Sequence, residues 1–233
     1  MKPKLALFAT AIALSGIGCA STEPAFVRDG LVAYYPFRGE AKDLVSGEEC
    51  RVQGVKPAPG RYGQKNRAYL FDKPEDFIDL GDAGLSKNPK IFTKSVWVKI
   101  EKNPNLNKVN IFLLTKRLSA DYEWASLGIS KGKVNLIQDV PLSYHGFQNP
   151  GISQLADSSW HHLVGIKEGT IHKVYVDGSL ESSANYRDRE LKGAPYNMFI
   201  LPPSRAEGDP IITVDSVRIY GRALSSEEVK ALY

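Results

Sequence analysis

Three groups of residues in this sequence have the types and spacing to do chemistry. His161 and His162 stand side by side in Trp160-His161-His162-Leu163-Val164, and paired imidazoles invite a metal or acid–base reading. Successive residues on a strand point to opposite faces, so the two rings cannot converge on one ion. Sheet histidines satisfied by hydrogen bonds are expected instead. His145 and His172 add no constellation, and no serine is read as a nucleophile elbow. The second group is Asp215, within Ile211-Ile212-Thr213-Val214-Asp215-Ser216-Val217-Arg218-Ile219. Strict alternation puts it with Ile211, Val217 and Ile219 and leaves Ser216 and Arg218 on the other side, which predicts an inward-looking carboxylate. A buried carboxylate has to be paired or bound to a metal, because an isolated charge there is very costly. The third group is Tyr144-His145-Gly146-Phe147-Gln148-Asn149, in the stretch from Gln138 to Ser159 between two apparent strands. Aromatic and amide side chains in a loop suit stacking on sugar rings with hydrogen bonds to their hydroxyls. They equally suit loop packing or a protein interface. Tyr144, His145, Phe147 and Asn149 are the candidate ligand residues, and Trp124, with Tyr122 near it, is a further one of the same kind.

The elements that must position these groups read as strands. Leu31 to Phe37, Arg67 to Phe71 and Phe77 to Leu80 are short runs of aromatic, β-branched and apolar residues. Ser95 to Ile100 alternates, with Val96, Val98 and Ile100 on one face. Val109 to Leu114 is a further apolar run. Ala125–Ile129 and Val134–Ile137 flank the hairpin signal Ser130-Lys131-Gly132-Lys133. Trp160–Ile166 and Ile171–Val176 flank Glu168-Gly169, and Asp177-Gly178 predicts a type I′ turn, whose two central residues need positive φ. Ile211 to Tyr220 is the last strand. Short strands with turn signals at regular spacing predict a sandwich or barrel. Cys50, in the strand-like Glu49-Cys50-Arg51-Val52, is expected to pack as a small apolar side chain. Ser225-Ser226-Glu227-Glu228 fits a capping box and predicts one short C-terminal helix that docks through Val229, Leu232 and Tyr233. Residues 202–210 form a loop with prolines at both ends. No Gly-rich strand-to-helix unit argues for a nucleotide-binding fold.

The first 20 residues read as a targeting segment. Met1-Lys2-Pro3-Lys4 is positive, Leu5 to Ile17 is apolar, and Gly18-Cys19-Ala20-Ser21 is small. The apolar run is shorter than the roughly 20 residues that span a bilayer. Cys19, in Ser15-Gly16-Ile17-Gly18-Cys19, stands where the lipobox of bacterial lipoproteins puts its acylated cysteine. The expected organisation is a lipoprotein signal over 1–20, a spacer over 21–28, and one domain over 29–233, tethered to a membrane by acyl chains on Cys19. The alternative is a plain secretory signal and a secreted product. The chain carries a net charge of +4, and losing Lys2 and Lys4 leaves +2. Such a weak, unclustered excess argues against nucleic acid as a partner.

Taken in order, the segments Gly30–Phe37, Ala41–Gly47, Ala68–Asp72 with Phe77–Leu80, Phe92–Lys99, Trp160–Val164 with Val174–Gly178, and Val214–Tyr233 resemble the laminin G-like jelly rolls of the concanavalin A-like superfamily. The resemblance runs from Gly30 to Tyr233. It implies an all-β, two-sheet antiparallel jelly-roll sandwich with a short C-terminal helix. It also implies a structural calcium held by Asp215 and by Asp43 of the Ala41–Gly47 turn, with help from backbone carbonyls. The wider superfamily includes retaining β-glucanases, whose signature is Glu-x-Asp-x-Glu on one strand. Here only Glu207-Gly208-Asp209 begins such a pattern, and it continues with Pro210-Ile211. The expectation is therefore a non-catalytic surface or periplasmic module that binds carbohydrate. The alternative is a structural or protein-interaction domain of an envelope assembly, and a glycoside hydrolase comes third.

Overall fold

The computed structural model describes residues 28–83, 85, 90–116, 125–140, 143–147, 150–186, 197–201 and 208–233, with residues 125, 137–140 and 143–147 described as backbone alone. Along the chain come β1 (Leu31–Tyr35), β2 (Arg51–Gln53), β3 (Lys56–Ala58), β4 (Ala68–Phe71), β5 (Phe77–Asp79), β6 (Ile91–Ile100) and β7 (Asn110–Thr115). They are followed by β8 (Ala125–Ser130), β9 (Lys133–Val140), β10 (Ser143–Phe147), β11 (Trp160–Glu168), β12 (Ile171–Val176), β13 (Ser179–Asn185), β14 (Phe199–Ile200), β15 (Ile212–Tyr220) and the helix α1 (Ser226–Leu232).

The strands form two antiparallel sheets, as the jelly-roll reading requires. The eight-stranded sheet runs β13-β12-β11-β6-β15-β4-β3, with β1 also on β15. The seven-stranded sheet runs β10-β9-β8-β7-β14-β5-β2. Strands far apart in sequence are neighbours in space: β6 pairs with both β11 and β15. Alternation along these strands turns one apolar set inward from each sheet. Phe92, Val96, Val98 and Ile100 of β6 meet Leu127 and Ile129 of β8 and Val134 and Leu136 of β9 in one core. Cys50 is half-buried against that core, as the sequence predicts.

A second apolar cluster lies on the other side of the larger sheet. There Val164, Ile166, Tyr175 and Tyr220 are covered by Leu224, Val229 and Leu232 of the C-terminal segment. The capping box holds: Ser225 Oγ accepts from the Glu228 N–H while the Glu228 carboxylate accepts from the Ser225 N–H. The type I′ expectation for Asp177-Gly178 is met, with φ of 50° and 75°. Lys131-Gly132 turns the β8–β9 hairpin in the same way, with φ of 51° and 80°.

Two sequence expectations are corrected. The segment 143–147 is not a loop: it is β10, the edge strand beside β9. The inward orientation of Asp215 is also corrected. A β-bulge falls between Asp215 and Val217 on β15, with Ser216 at φ 42°. An extra residue in a strand reverses which face the following residues take. Val214 and Val217 both reach the core, and Asp215 falls on the outward face with Trp97, which it opposes across the ladder. The bulge sits where the partner on one edge of β15 changes, from β4 over Ile212–Asp215 to β1 over Val217–Tyr220.

Candidate functional site

One row of residues crosses the outward face of the larger sheet: His162 on β11, Trp97 on β6 and Asp215 on β15, each opposite the next in the ladders. Ring stacking ties the row together. Trp97 lies 5.0 Å from the His162 ring at 21° and 5.6 Å from the Tyr233 ring at 13°. The turn at 59–67 lays Arg61 across the other end. Its guanidinium carbon is 4.8 Å from the Trp97 ring and 4.6 Å from the Tyr62 ring. Asp215 Oδ2 accepts from the Arg61 N–H at 3.1 Å and lies 3.3 Å from Arg61 Nη1. Burial pushes the Asp215 carboxyl above its ordinary value, and its contacts with Arg61, then the charge of Arg218, pull the other way.

Asp43 is engaged elsewhere. Its Oδ1 accepts from the N–H groups of Tyr34 and Val45, and its Oδ2 from the N–H and hydroxyl of Ser46. A carboxylate so surrounded by donors is pinning a turn. Calcium takes six to eight oxygen ligands. The described surroundings of Asp43 offer hydrogens where it would need lone pairs, and those of Asp215 offer a guanidinium. These residues, as arranged, do not fit the ion. Among the described residues, no group of three or more His, Cys, Asp or Glu could hold a metal.

The histidines behave as the strand geometry predicts. His162 is fully buried, its Nε2 2.8 Å from Ser95 Oγ, and burial drives its pKa down to about 3. Ser95 is also buried, so this Ser–His contact is out of reach of any substrate. His161 points to the other side, with Nδ1 2.8 Å from Asp177 Oδ2 and Nε2 3.2 Å from Asp157 Oδ1. Its flanking carboxylates are separated from it by four and by sixteen residues, which is why sequence inspection does not find them. Gly128-Ile129-Ser130-Lys131-Gly132 has the spacing of a nucleophile elbow, but it forms a β-hairpin where that device needs a strand-to-helix turn. Another feature missed in sequence is Lys94. It falls in the inward alternation of Phe92, Val96 and Val98, is fully buried, and donates from Nζ to the Leu114 carbonyl at 3.2 Å. Burial holds its pKa well below the usual lysine range.

The outward face of the seven-stranded sheet carries a different chemistry. Ile78, Leu127, Leu136 and Ile200 point into the core, so Phe77, Asp79, Ser126, Asn135 and Phe199 point away. Phe77 and Phe199 meet edge to face at 5.8 Å, with the Arg51 guanidinium carbon 5.6 Å from the Phe77 ring. Thr115 Oγ1 and Ser126 Oγ are 2.6 Å apart. Asp79 accepts from the Gly81 N–H and from the Asn197 amide. The backbone of β10 places Tyr144, His145 and Phe147 at the edge of this sheet. Their side chains, and residues Trp124, Asn149, Glu207 and Cys19, lie outside the described residues.

Residues 72–230 match the sequence model of a laminin G family described as the concanavalin A-like lectin/glucanases superfamily. No curated protein matches the chain. Among solved structures, the binding domain of Paraclostridial Mosquitocidal Protein 1 superposes with a TM-score of 0.68 at 16% identity, over 88% of this chain and 52% of that one. A botulinum neurotoxin type C structure, described as depending for uptake into cells on two ganglioside molecules, gives 0.69 at 14%, over 89% and 51%. The binding domain of botulinum neurotoxin DC in complex with rat synaptotagmin II gives 0.69 at 13%, over 88% and 51%. The chain thus spans about half the length of the solved chains it matches, and at these identities the likeness is one of fold.

Proposed function

Because the chain belongs to the concanavalin A-like lectin/glucanases superfamily, we propose that it is a non-catalytic binding module that takes carbohydrate, carried at the cell envelope by a lipid on Cys19. The observation that carries the non-catalytic reading is the outward face of the seven-stranded sheet. Hydrolysis on either stereochemical course needs two carboxyl groups, about 5–5.5 Å apart when retaining and about 6.5–9.5 Å when inverting. The described strands of that sheet carry two acids, Asp79 on β5 and Asp139 on β9. β8, β7 and β14 lie between those strands, which at about 4.8 Å per strand sets them roughly 19 Å apart, too far for such a pair. The Asp79 oxygens already accept from Gly81 and Asn197. Thr115, Ser126, Asn135, Phe77 and Phe199 are themselves buried, so the groups proposed to meet a sugar are the aromatic and amide residues at the edge of this sheet, apolar for its ring face and polar for its hydroxyls. The candidate ligand residues Tyr144, His145 and Phe147 sit at the edge of the same sheet, and Asn149 and Trp124 are proposed as ligand residues beside them on their chemistry alone.

The solved relatives lend support in kind. One is tied to gangliosides, which are glycolipids, and another is in complex with a protein, rat synaptotagmin II. The second of these favours a protein-interaction module as the other reading.

A glycan array with the mature domain, covering sialylated and neutral glycans, tests the proposal, alongside a reducing-end assay on β-glucans. Binding to a defined glycan class with no release of reducing ends is expected. An array without hits would overturn the carbohydrate reading in favour of the protein-interaction one. Turnover of any β-glucan would overturn the non-catalytic reading.

A further inference from the structure

We infer that the guanidinium of Arg61 is a built-in cation, standing beside Asp215 in the place a divalent metal would otherwise take, so that this domain holds its 59–67 turn on the sheet without metal. The inference concerns this face alone and is independent of which ligand the module takes.

Four contacts converge on Arg61. Asp215 Oδ2 accepts from its backbone N–H at 3.1 Å and faces its Nη1 at 3.3 Å. The guanidinium carbon lies 4.6 Å from the Tyr62 ring and 4.8 Å from the Trp97 ring. A cation held between aromatic faces and a carboxylate is favoured by both, through the ring quadrupoles and through a charge-assisted contact at Nη1, while its Nε is buried without a hydrogen-bond partner. The turn is fitted to this arrangement. A side chain begun at Gly60 would put its Cβ 3.1 Å from Asp215 Oδ2 and 2.6 Å from Arg67 Cβ. Only glycine lets the turn come close enough to present both the Arg61 N–H and the Arg61 side chain to one carboxylate oxygen.

The field at this point also disfavours a second cation. Arg218 acts on the same carboxylate, in the direction that favours its ionised form. A calcium ion here would have to displace one guanidinium and sit close to another. It would meet an Asp215 carboxylate already engaged by Arg61, while the oxygens of Asp43 are saturated by Tyr34, Val45 and Ser46. Asp215 is 5% exposed. Its charge must be answered inside the fold, and Arg61 answers it.

The test uses the mature wild-type chain and a double-mutant cycle. Thermal melts of the wild type are recorded in millimolar chelator and in millimolar calcium. Melts of Arg61→Met, Asp215→Asn and the double variant follow in chelator. The wild-type Tm is expected to be the same in both buffers. Arg61→Met is expected to lower Tm by roughly 5–10 °C, because it strands a buried carboxylate. The double variant is expected to lose clearly less than the two single losses combined, since each removes the need for the other. A wild-type Tm that falls in chelator and returns with calcium would overturn the inference, and so would single losses that simply add. Should Arg61→Met fail to fold, the wild-type melts still decide: equal curves support the built-in cation and unequal curves defeat it.

Discussion

Asp177 and His161 are joined at 2.8 Å, Oδ2 to Nδ1, while the other oxygen of the same carboxylate accepts the N–H of His162. One aspartate in a turn therefore serves two consecutive residues of β11 whose side chains leave in opposite directions. Their titrations run in opposite senses. The hydrogen bond to Asp177 raises the His161 pKa, with burial opposing it and Asp157 adding to the rise. Its ordinary value is about 6.5, so this contribution to stability is complete below about pH 6.5 and is lost as pH climbs through the raised value. His162 is the reverse. Burial takes it down to about 3, so its contribution is complete above the ordinary value and is lost as pH falls toward about 3. His161→Gln should therefore cost more stability at about pH 6 than at about pH 9. Urea unfolding midpoints at the two pH values check this, and an equal loss at both would show that the pair carries no charge.

Gly128 faces the backbone of β7 so closely that a Cβ would lie 2.2 Å from the Ile111 carbonyl oxygen. No side-chain rotation relieves a contact with backbone, so the ladder itself would have to move. Gly128→Ala should destabilise by about 1–3 kcal/mol, the usual cost of overpacking. Gly39 has nothing within 4 Å and a φ of 87°, so Gly39→Ala should show only the backbone penalty of a Cβ in the left-handed region, roughly 1–2 kcal/mol, with no clash added. Equal losses for the two would mean that β7 and β8 are not held at this spacing.

Much of the fold was legible because its signals are local. Alternation in Val96, Val98 and Ile100 marks the core face of β6, Asp177-Gly178 marks a turn, and Ser225 with Glu228 marks a helix start. The outward site was less legible, because it depends on one extra residue. Ser216 breaks the alternation of β15, and nothing in Val214-Asp215-Ser216-Val217 distinguishes a bulge from a regular strand. Period-two counting carried across it assigns Asp215 to the wrong face. Arg61 was missed for another reason: it lies 154 residues from Asp215, and an Arg-Tyr pair in a Gly-rich turn looks like ordinary solvated sequence. Lys94 could have been found, since it shares the inward face of β6 with Phe92 and Val96.

The proposed anchoring by Cys19 makes a prediction that needs no ligand. Acyl chains hold a protein at a membrane through buried methylenes, each worth about 0.8 kcal/mol, and one chain alone gives only reversible binding. The wild-type chain, expressed with its own N-terminus in a bacterial host, should sediment with membranes and be released by detergent. Cys19→Ala should leave it in the soluble fraction. A wild type already soluble would mean that the first 20 residues act as a plain secretory signal.

The C-terminal helix gives the last prediction. It has seven residues, too few to be stable alone, since isolated helices shorter than about 12–15 residues are marginal in water. Its stability must come from its cap and from docking. Ser225 closes the box with Glu228, and Glu228 also receives Arg222 in a two-pronged pair at 2.8 and 2.6 Å. From the sheet below, Thr93 Oγ1 donates to the Arg222 carbonyl at 2.8 Å and accepts from the Leu224 N–H at 3.1 Å. These contacts fix the chain just before the helix, and Val229 and Leu232 then cover Tyr175 and Tyr220. Ser225→Ala removes one cap acceptor and should cost about 0.5–2 kcal/mol. Thr93→Val leaves a buried N–H and carbonyl without that partner and should cost about 1–3 kcal/mol. Because both changes loosen the same docked segment, the double variant should lose less than the two losses added. Urea denaturation of the four proteins checks this, and strict additivity would mean that the Thr93 anchor and the Ser225 cap hold two independent structures.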